Sequence, residues 1–382
     1  MSRRVVITGT GALSPLGATP TALWRGLLDG RAGIRTVTRL AGLEVTSGGE
    51  VISDAEPDGV ALARIDRDVL IATRAVDDAL AESGRDAATT GLLWGTALDT
   101  YIGAPMVHRS AGACFAALAA RFASPRRMIA VACATGTVAI GEALRLVRDG
   151  RVEACVAGGS SVMLGRHYLF GFHALRAVAA DVDGEPADRA CKPFDRDRRG
   201  FALADGAGAL VIESLESARR RGVEPIAELV GYGASQDAFD LNRPPADGAG
   251  AALAMQRALA DGGLAASAIE AVNAHGTGTH VGDIAEASAI RAVLGDRVPV
   301  SSLKGAIGHT MAAAGALEAI AAIATCRSGV VPPTRNLVHP DEACRLDHVI
   351  GGPRETGASC VLSVSFGMGG QNAAIILRRF AS

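Results

Sequence analysis

The chain has 382 residues and a mass of 38.8 kDa, with 49% hydrophobic and 20% charged residues, enough to bury one large core or two medium ones. That balance excludes a disordered or collagen-like chain. Lysine and arginine number 38 against 40 aspartates and glutamates, a formal charge of −2, so no global basic field exists to attract nucleic acid or anionic lipid.

The N-terminus, MSRRVVITGTGALSP, breaks into Thr and Gly after a short apolar run rather than continuing as the apolar core of a signal peptide, and a cytoplasmic protein is expected. From there, short runs rich in Val, Ile and Leu alternate with helical stretches, the pattern of buried strands in an α/β fold. Strands are predicted at RVVITG (4–9), GLLWGT (91–96), MIAVA (128–132), EACVAGG (153–159) and GALVIES (208–214). A second series follows at IAELVGYGAS (226–235), IEAVNAH (269–275), HVIGG (348–352), SCVLSVSFG (359–367) and AAIILRRF (373–380). Helices are predicted at DRDVLIATRAVDDALAESG, GTVAIGEALRLVRDG, GAALAMQRALADGG and AAAGALEAIAAIATCRSG.

Each series opens with a strand ending in Gly-x-Gly, VITGTGA and then LVGYGAS, which points to an internal duplication joined near 215–225 and to halves of 1–220 and 221–382. A nucleotide-binding fingerprint is the competing reading of TGTGALSPLG. It fails, because the third glycine is missing and Ser14-Pro15 interrupts where the helix should open.

Seven cysteines (114, 133, 155, 191, 326, 344, 360) are scattered with no CxxC pair, as expected of reduced thiols without a metal cage. Cys133 stands where the strand of MIAVACATGTVAIGEALRLVRDG meets its helix, with Thr135 as the candidate cap. A thiol there feels the positive helix end, which favours the nucleophilic thiolate. A small buried hydrophobe is the alternative.

In VNAHGTGTHVGDIAE, His275 ends a strand and Thr277 and Thr279 line the following turn with hydroxyls. His280 has the wrong spacing for a helical metal pair, and no HExxH pattern occurs. In SSLKGAIGHTMAAAGALEAIAA, Lys304 and His309 fall on a loop expected at the same sheet end as Cys133 and His275. Glu318 sits in a helix so apolar that it must be buried, and it needs a partner unless one face is exposed; Lys304 is the candidate. Of the 38 basic residues only Lys192 and Lys304 are lysine; codon bias is the plain reading, and the alternative is that a lysine surviving it marks a place that suits a compact ammonium. The loop of SVSFGMGGQNAAIIL, carrying Phe366 and Met368, can offer backbone N–H groups to an oxyanion.

As an ordered set, ACATG, NAHGTGT, KGAIGH and SFGMGGQNA resemble the β-ketoacyl-[acyl-carrier-protein] synthases of the Cys-His-His branch. The resemblance extends to VVITGTGALSPLG, CKPFDRDRRGFALADGAGALVIES (191–214) and SQDAFDLNRPPADG (235–248), and so runs essentially end to end. It implies a thiolase-like α/β fold, two duplicated halves stacked as α-β-α-β-α layers, and a homodimer or a heterodimer with a ketosynthase-like chain. It implies Cys133 as the acylated nucleophile, with His275 and His309 assisting decarboxylation of a malonyl thioester. The N–H groups of Cys133 and Met368 would form the oxyanion hole, with Met368 and Phe366 at the gate. Thr277 and Thr279 would hold the pantetheine arm, and Lys304 with Glu318 would order the site. No cofactor of the chain's own is implied, because phosphopantetheine arrives on an acyl carrier protein.

Thiolases proper carry a second catalytic cysteine on the C-terminal glycine loop, absent from SFGMGG, and starter-type synthases carry Asn where His309 stands. Two departures from the family pattern occur. The stretch from Thr96 to Cys133 is about twenty residues shorter than usual, and Met368 replaces a common gating phenylalanine. The shorter stretch favours polyketide- or polyene-type specialised biosynthesis over fatty acid elongation. A Cys-dependent acyltransferase without condensation and a non-catalytic partner subunit are the other readings.

Overall fold

The N-terminal strand β1 (Val5–Leu13) lies between the two halves of the molecule, pairing antiparallel with a strand from each. The computed structural model describes residues 3–51, 64–96 and 112–381. In the first half follow α1 (Arg64–Ser83), β2 (Gly91–Thr96), β3 (Arg126–Ile129), α2 (Thr135–Arg148), β4 (Ala154–Ser161) and β5 (Gly206–Ser214). In the second come β6 (Ala227–Gln236), α3 (Ala249–Asp261), β7 (Ala271–Asn273), α4 (His280–Leu294), β8 (Pro299–Ser301), α5 (Ala314–Ser328), β9 (Cys360–Gly367) and β10 (Gln371–Arg378).

The two strand orders are the same. One block reads β1-β5-β4-β2-β3 and the other β6-β10-β9-β7-β8, and in each the first two pairings are antiparallel and the last two parallel. Val6 opposite Glu228 and Ile7 opposite Ala227 join the blocks, and a short strand at Asp347–His348 extends the second.

Side-chain alternation explains the layering. Leu93, Leu210 and Ile212 from one block, and Val361, Ile375 and Leu377 from the other, point inward onto a shared core with α2 and α5. The intervening Leu92, Trp94 and Val211 face out toward α1, while Leu362, Val364 and Ile376 face α3 and α4. The result is five layers, helix, sheet, helix, sheet, helix. The middle helices approach closely because of glycine: a Cβ on Gly315 would lie 2.1 Å from Thr137 Oγ1 and 2.5 Å from its backbone nitrogen. Residues Met311–Ser328 are long and apolar enough to cross a membrane by composition, but 83% of that window is buried inside the fold.

Several predicted strands differ, the one expected at 269–275 being only Ala271–Asn273. The strand expected at 128–132 is Arg126–Ile129, with Arg126, Arg127 and Met128 exposed, because β3 is an edge strand and the chain must turn before Cys133. The strand expected at 348–352 shrinks to Asp347–His348. Residues 97–111, within the shortened stretch, lie outside the described residues.

Candidate active site

The turn between β3 and α2 delivers Cys133 to a buried position at the head of the middle layer. Ala132 adopts φ +46°, a left-handed conformation uncommon for a residue with a Cβ, and its strain is held by local bonds. Thr135, the cap expected from the sequence, does not cap α2 with its side chain. Its hydroxyl instead donates to the Ala132 carbonyl at 2.6 Å and accepts from the Val131 N–H at 2.8 Å, fixing the turn.

His275 follows β7 on a loop whose geometry requires glycine: Gly276 has φ +38° and Gly278 φ +75°. Two carboxylates on the first turns of α4 hold that loop by its backbone. Glu286 accepts the N–H groups of His275 and Gly276, both at 2.7 Å, and Asp283 accepts those of Phe194 at 2.7 Å and Gly278 at 3.1 Å. Burial pushes Glu286 up to about 8 and Asp283 up to about 6. Neither was singled out from the sequence. The available signal was their i, i+3 spacing, which puts both on the helix face turned back to the histidine loop.

His309 is anchored where its N–H donates to Ala202 O at 2.7 Å. Its ring stands 5.4 Å from that of His275, nearly perpendicular, and 5.1 Å from Phe201. Lys304 and Glu318 are buried behind the histidines and bonded to each other; Lys304 Nζ also donates to His275 O at 2.6 Å and lies 3.3 Å from His275 Nδ1. An ammonium donating to Nδ1 leaves the proton of His275 on Nε2. The Met311 N–H donates to His309 Nδ1 at 3.3 Å, which places that proton on Nε2 as well. Burial, with the Lys304 charge, pushes both imidazoles well below the ordinary 6.5, so both are neutral Nε2–H donors. His309 Nε2 is buried with no partner among the described residues.

Cys133, His275, His309, Thr277, Thr279, Phe366 and Met368 all line one cavity of about 610 Å³. Thr277 and Thr279 hydroxyls bond to each other at 2.9 Å, and the Phe366 ring lies 5.6 Å from that of His275. Lys304 and Glu318 support the cavity without lining it. The N–H groups of Met368 and Cys133 both face the Cys133 sulfur. Among the described residues, no cluster of three His, Cys, Asp or Glu side chains has metal-ligating geometry.

The thiolate expected at the helix start is not the resting form. Burial pushes the Cys133 thiol up to about 11, outweighing the Lys304 charge and the two N–H groups. Alkylation of Cys133 by iodoacetamide is therefore expected to rise about tenfold per pH unit from about pH 7 to about pH 10. Peptide mapping at each pH reads this out, and a plateau below about pH 8 would contradict it.

The β-ketoacyl synthase N-terminal domain model matches residues 2–218 and the β-ketoacyl synthase C-terminal domain model residues 226–338. The chain belongs to the β-ketoacyl synthase family. It is 36% identical over 421 aligned positions to 3-oxoacyl-[acyl-carrier-protein] synthase 2 of Rhizobium meliloti (strain 1021), covering 99% of each chain. It is 35% identical, over 99% of itself and 98% of the relative, to the enzyme of the same name from Synechocystis sp. (strain ATCC 27184 / PCC 6803 / Kazusa). Among solved structures, the ishigamide ketosynthase/chain length factor superposes with a TM-score of 0.89 at 32% identity, covering 100% of both chains. A β-ketoacyl synthase from Burkholderia phymatum STM815 superposes with a TM-score of 0.86 at 31% identity, over 99% of this chain and 100% of that one. The fold is thus thiolase-like, as the motifs implied, and the protein is an acyltransferase-type condensing β-ketoacyl synthase.

Proposed function

We propose that this β-ketoacyl synthase elongates an acyl chain held on Cys133 with a malonyl unit brought by an acyl carrier protein, in polyketide- or polyene-type specialised biosynthesis. The observation that carries the reading is the pairing, in one cavity, of a buried thiol with two neutral imidazoles whose Nε2–H groups are free to donate. In loading, the Cys133 sulfur attacks the carrier thioester, the carbonyl oxygen turns negative between the N–H groups of Cys133 and Met368, and the departing thiol takes the proton. In condensation, the malonyl C–C bond releases carbon dioxide and its electron pair forms an enolate. His275 and His309 stabilise the enolate oxygen by hydrogen bonds. The enolate carbon then attacks the acyl carbonyl, the C–S bond breaks, and Cys133 takes up one proton.

Carbon dioxide loss generates the carbanion without a strong base, so donors suffice and no resident cofactor is needed. Thr277 and Thr279, along the same cavity, suit the amides of the pantetheine arm. We assign the nucleophile to a half at 1–220 and both histidines to a half at 221–382, acting as a homodimer or beside a ketosynthase-like chain. The specialised role is favoured by the superposition on the ishigamide ketosynthase/chain length factor over the whole of both chains. Fatty acid elongation is the second reading, favoured by the name of the bacterial relatives.

Incubation with acyl-loaded and malonyl-loaded carrier protein, followed by mass spectrometry, tests this. An acyl-Cys133 adduct, carbon dioxide release and a β-ketoacyl product are expected. Acyl-Cys133 without malonyl turnover would indicate simple acyl transfer, and no adduct a non-catalytic partner. Turnover with a polyketide-type carrier that exceeds turnover with a fatty acid carrier separates the two pathways.

A further inference from the structure

The Cys133 sulfur has two different surroundings. One is the open cavity with the histidines. The other is an apolar cluster that includes Met163, Leu169, Phe172, Phe201 and Met311. Among the described residues, the side-chain partner of the sulfur is Met311, whose Sδ lies 3.8 Å from Sγ.

Two thioester arms must use the cavity in succession, first to deliver the acyl group and then to present the malonyl group to His275 and His309. The acyl chain, still bonded to Sγ, has to leave that space before the second arm enters. Among the described residues, the apolar side of the sulfur is this cluster, and Met311, in contact with Sγ, belongs to it. The backbone there is fixed: Met311 adopts φ +49°, its N–H is bonded to His309, and the Ala312 carbonyl packs on Gly136 and Gly159, where a Cβ would lie 2.9 and 2.5 Å away. What can move is the side chain, and methionine is unbranched, with three rotatable bonds.

We propose that the Met311 side chain is the movable stopper of the acyl room beside Cys133 and sets the length of acyl chain the thiol accepts. The inference rests on Cys133 being the acylated residue. It makes Met311 a specificity-determining residue, while its N–H keeps orienting His309 whatever side chain it bears.

The test is the rate at which Cys133 is acylated by acyl-pantetheine thioesters of graded length, each rate taken relative to acetyl and read by intact-protein mass spectrometry. Met311→Ala removes three heavy atoms beyond Cβ and is expected to raise the relative rate for chains about three carbons beyond the native optimum by about tenfold. Met311→Phe is expected to lower the relative rate at the native optimum by about tenfold while sparing acetyl. Where phenylalanine unfolds the chain, Met311→Leu serves in its place; it conserves volume but not flexibility, and keeps the optimum while slowing the longest chains. Opposite shifts for smaller and stiffer or larger side chains support the role. Superimposable profiles, or equal loss at every length, overturn it. No adduct on the unaltered protein overturns the assignment of Cys133 and this inference with it, whereas adducts with an unshifted profile overturn only the role of Met311.

Discussion

Cys133→Ala is expected to abolish acyl loading altogether, whereas His309→Ala should load within about tenfold of the unaltered protein and lose condensation by about 10²–10³-fold. The asymmetry follows from which donors each step uses. In the proposed loading step, the negative oxygen forming on the acyl carbonyl would meet the N–H groups of Cys133 and Met368, which face the Cys133 sulfur and do not belong to the His309 side chain. In condensation, the charge develops on the malonyl thioester oxygen, and the donors available to it are the Nε2–H groups of two imidazoles whose rings stand 5.4 Å apart. Removing one leaves a buried enolate with half its stabilisation. Radiolabelled or mass-resolved acyl-Cys133 measures the first step and carbon dioxide release the second. Equal loss of loading in both variants would contradict this division of labour.

Much of this site could be read from the chain, and the parts that could not have a common cause. Cys133 and His275 stand out because each follows a strand at a turn, and His309 because it follows Gly308 on a short connection between a strand and a helix, patterns local in sequence. The two-block sheet was legible in the same way, since strand periodicity and the Gly-x-Gly starts are local features. Glu286 and Asp283 were missed because their role is to accept backbone N–H groups of a loop: their i, i+3 spacing puts them on one helix face, but it does not say what that face meets. The state of the Cys133 thiol was misjudged for a related reason. The helix start is visible in sequence, but the depth of burial that outweighs it depends on how both halves pack. The exposed face of β3 escaped the reading as well, because strand composition does not reveal which strand ends a sheet.

Lys304→Met is expected to destabilise the protein by about 3–5 kcal/mol and to abolish condensation. The ammonium is 1% exposed, and its three protons have three acceptors: the Glu318 carboxylate, the His275 carbonyl and His275 Nδ1. Removal leaves Glu318 buried with Ser365 Oγ, at 3.5 Å, as the remaining side-chain donor to its carboxylate among the described residues, and burial already pushes that carboxyl up. Lys304→Arg is no conservative change, since a planar fork does not suit three acceptors around a compact charge. The double variant Lys304→Met with Glu318→Leu removes both charges and should recover most of the lost stability, because well-packed apolar groups replace a buried ion pair at little cost. It should not recover turnover. Without the ammonium donating to Nδ1, His275 is free to hold its proton on either nitrogen, and the Nε2–H donor that meets the enolate is no longer assured. Chemical denaturation measures the first expectation and carbon dioxide release the second. Stability and turnover returning together in the double variant would show that the pair serves packing alone.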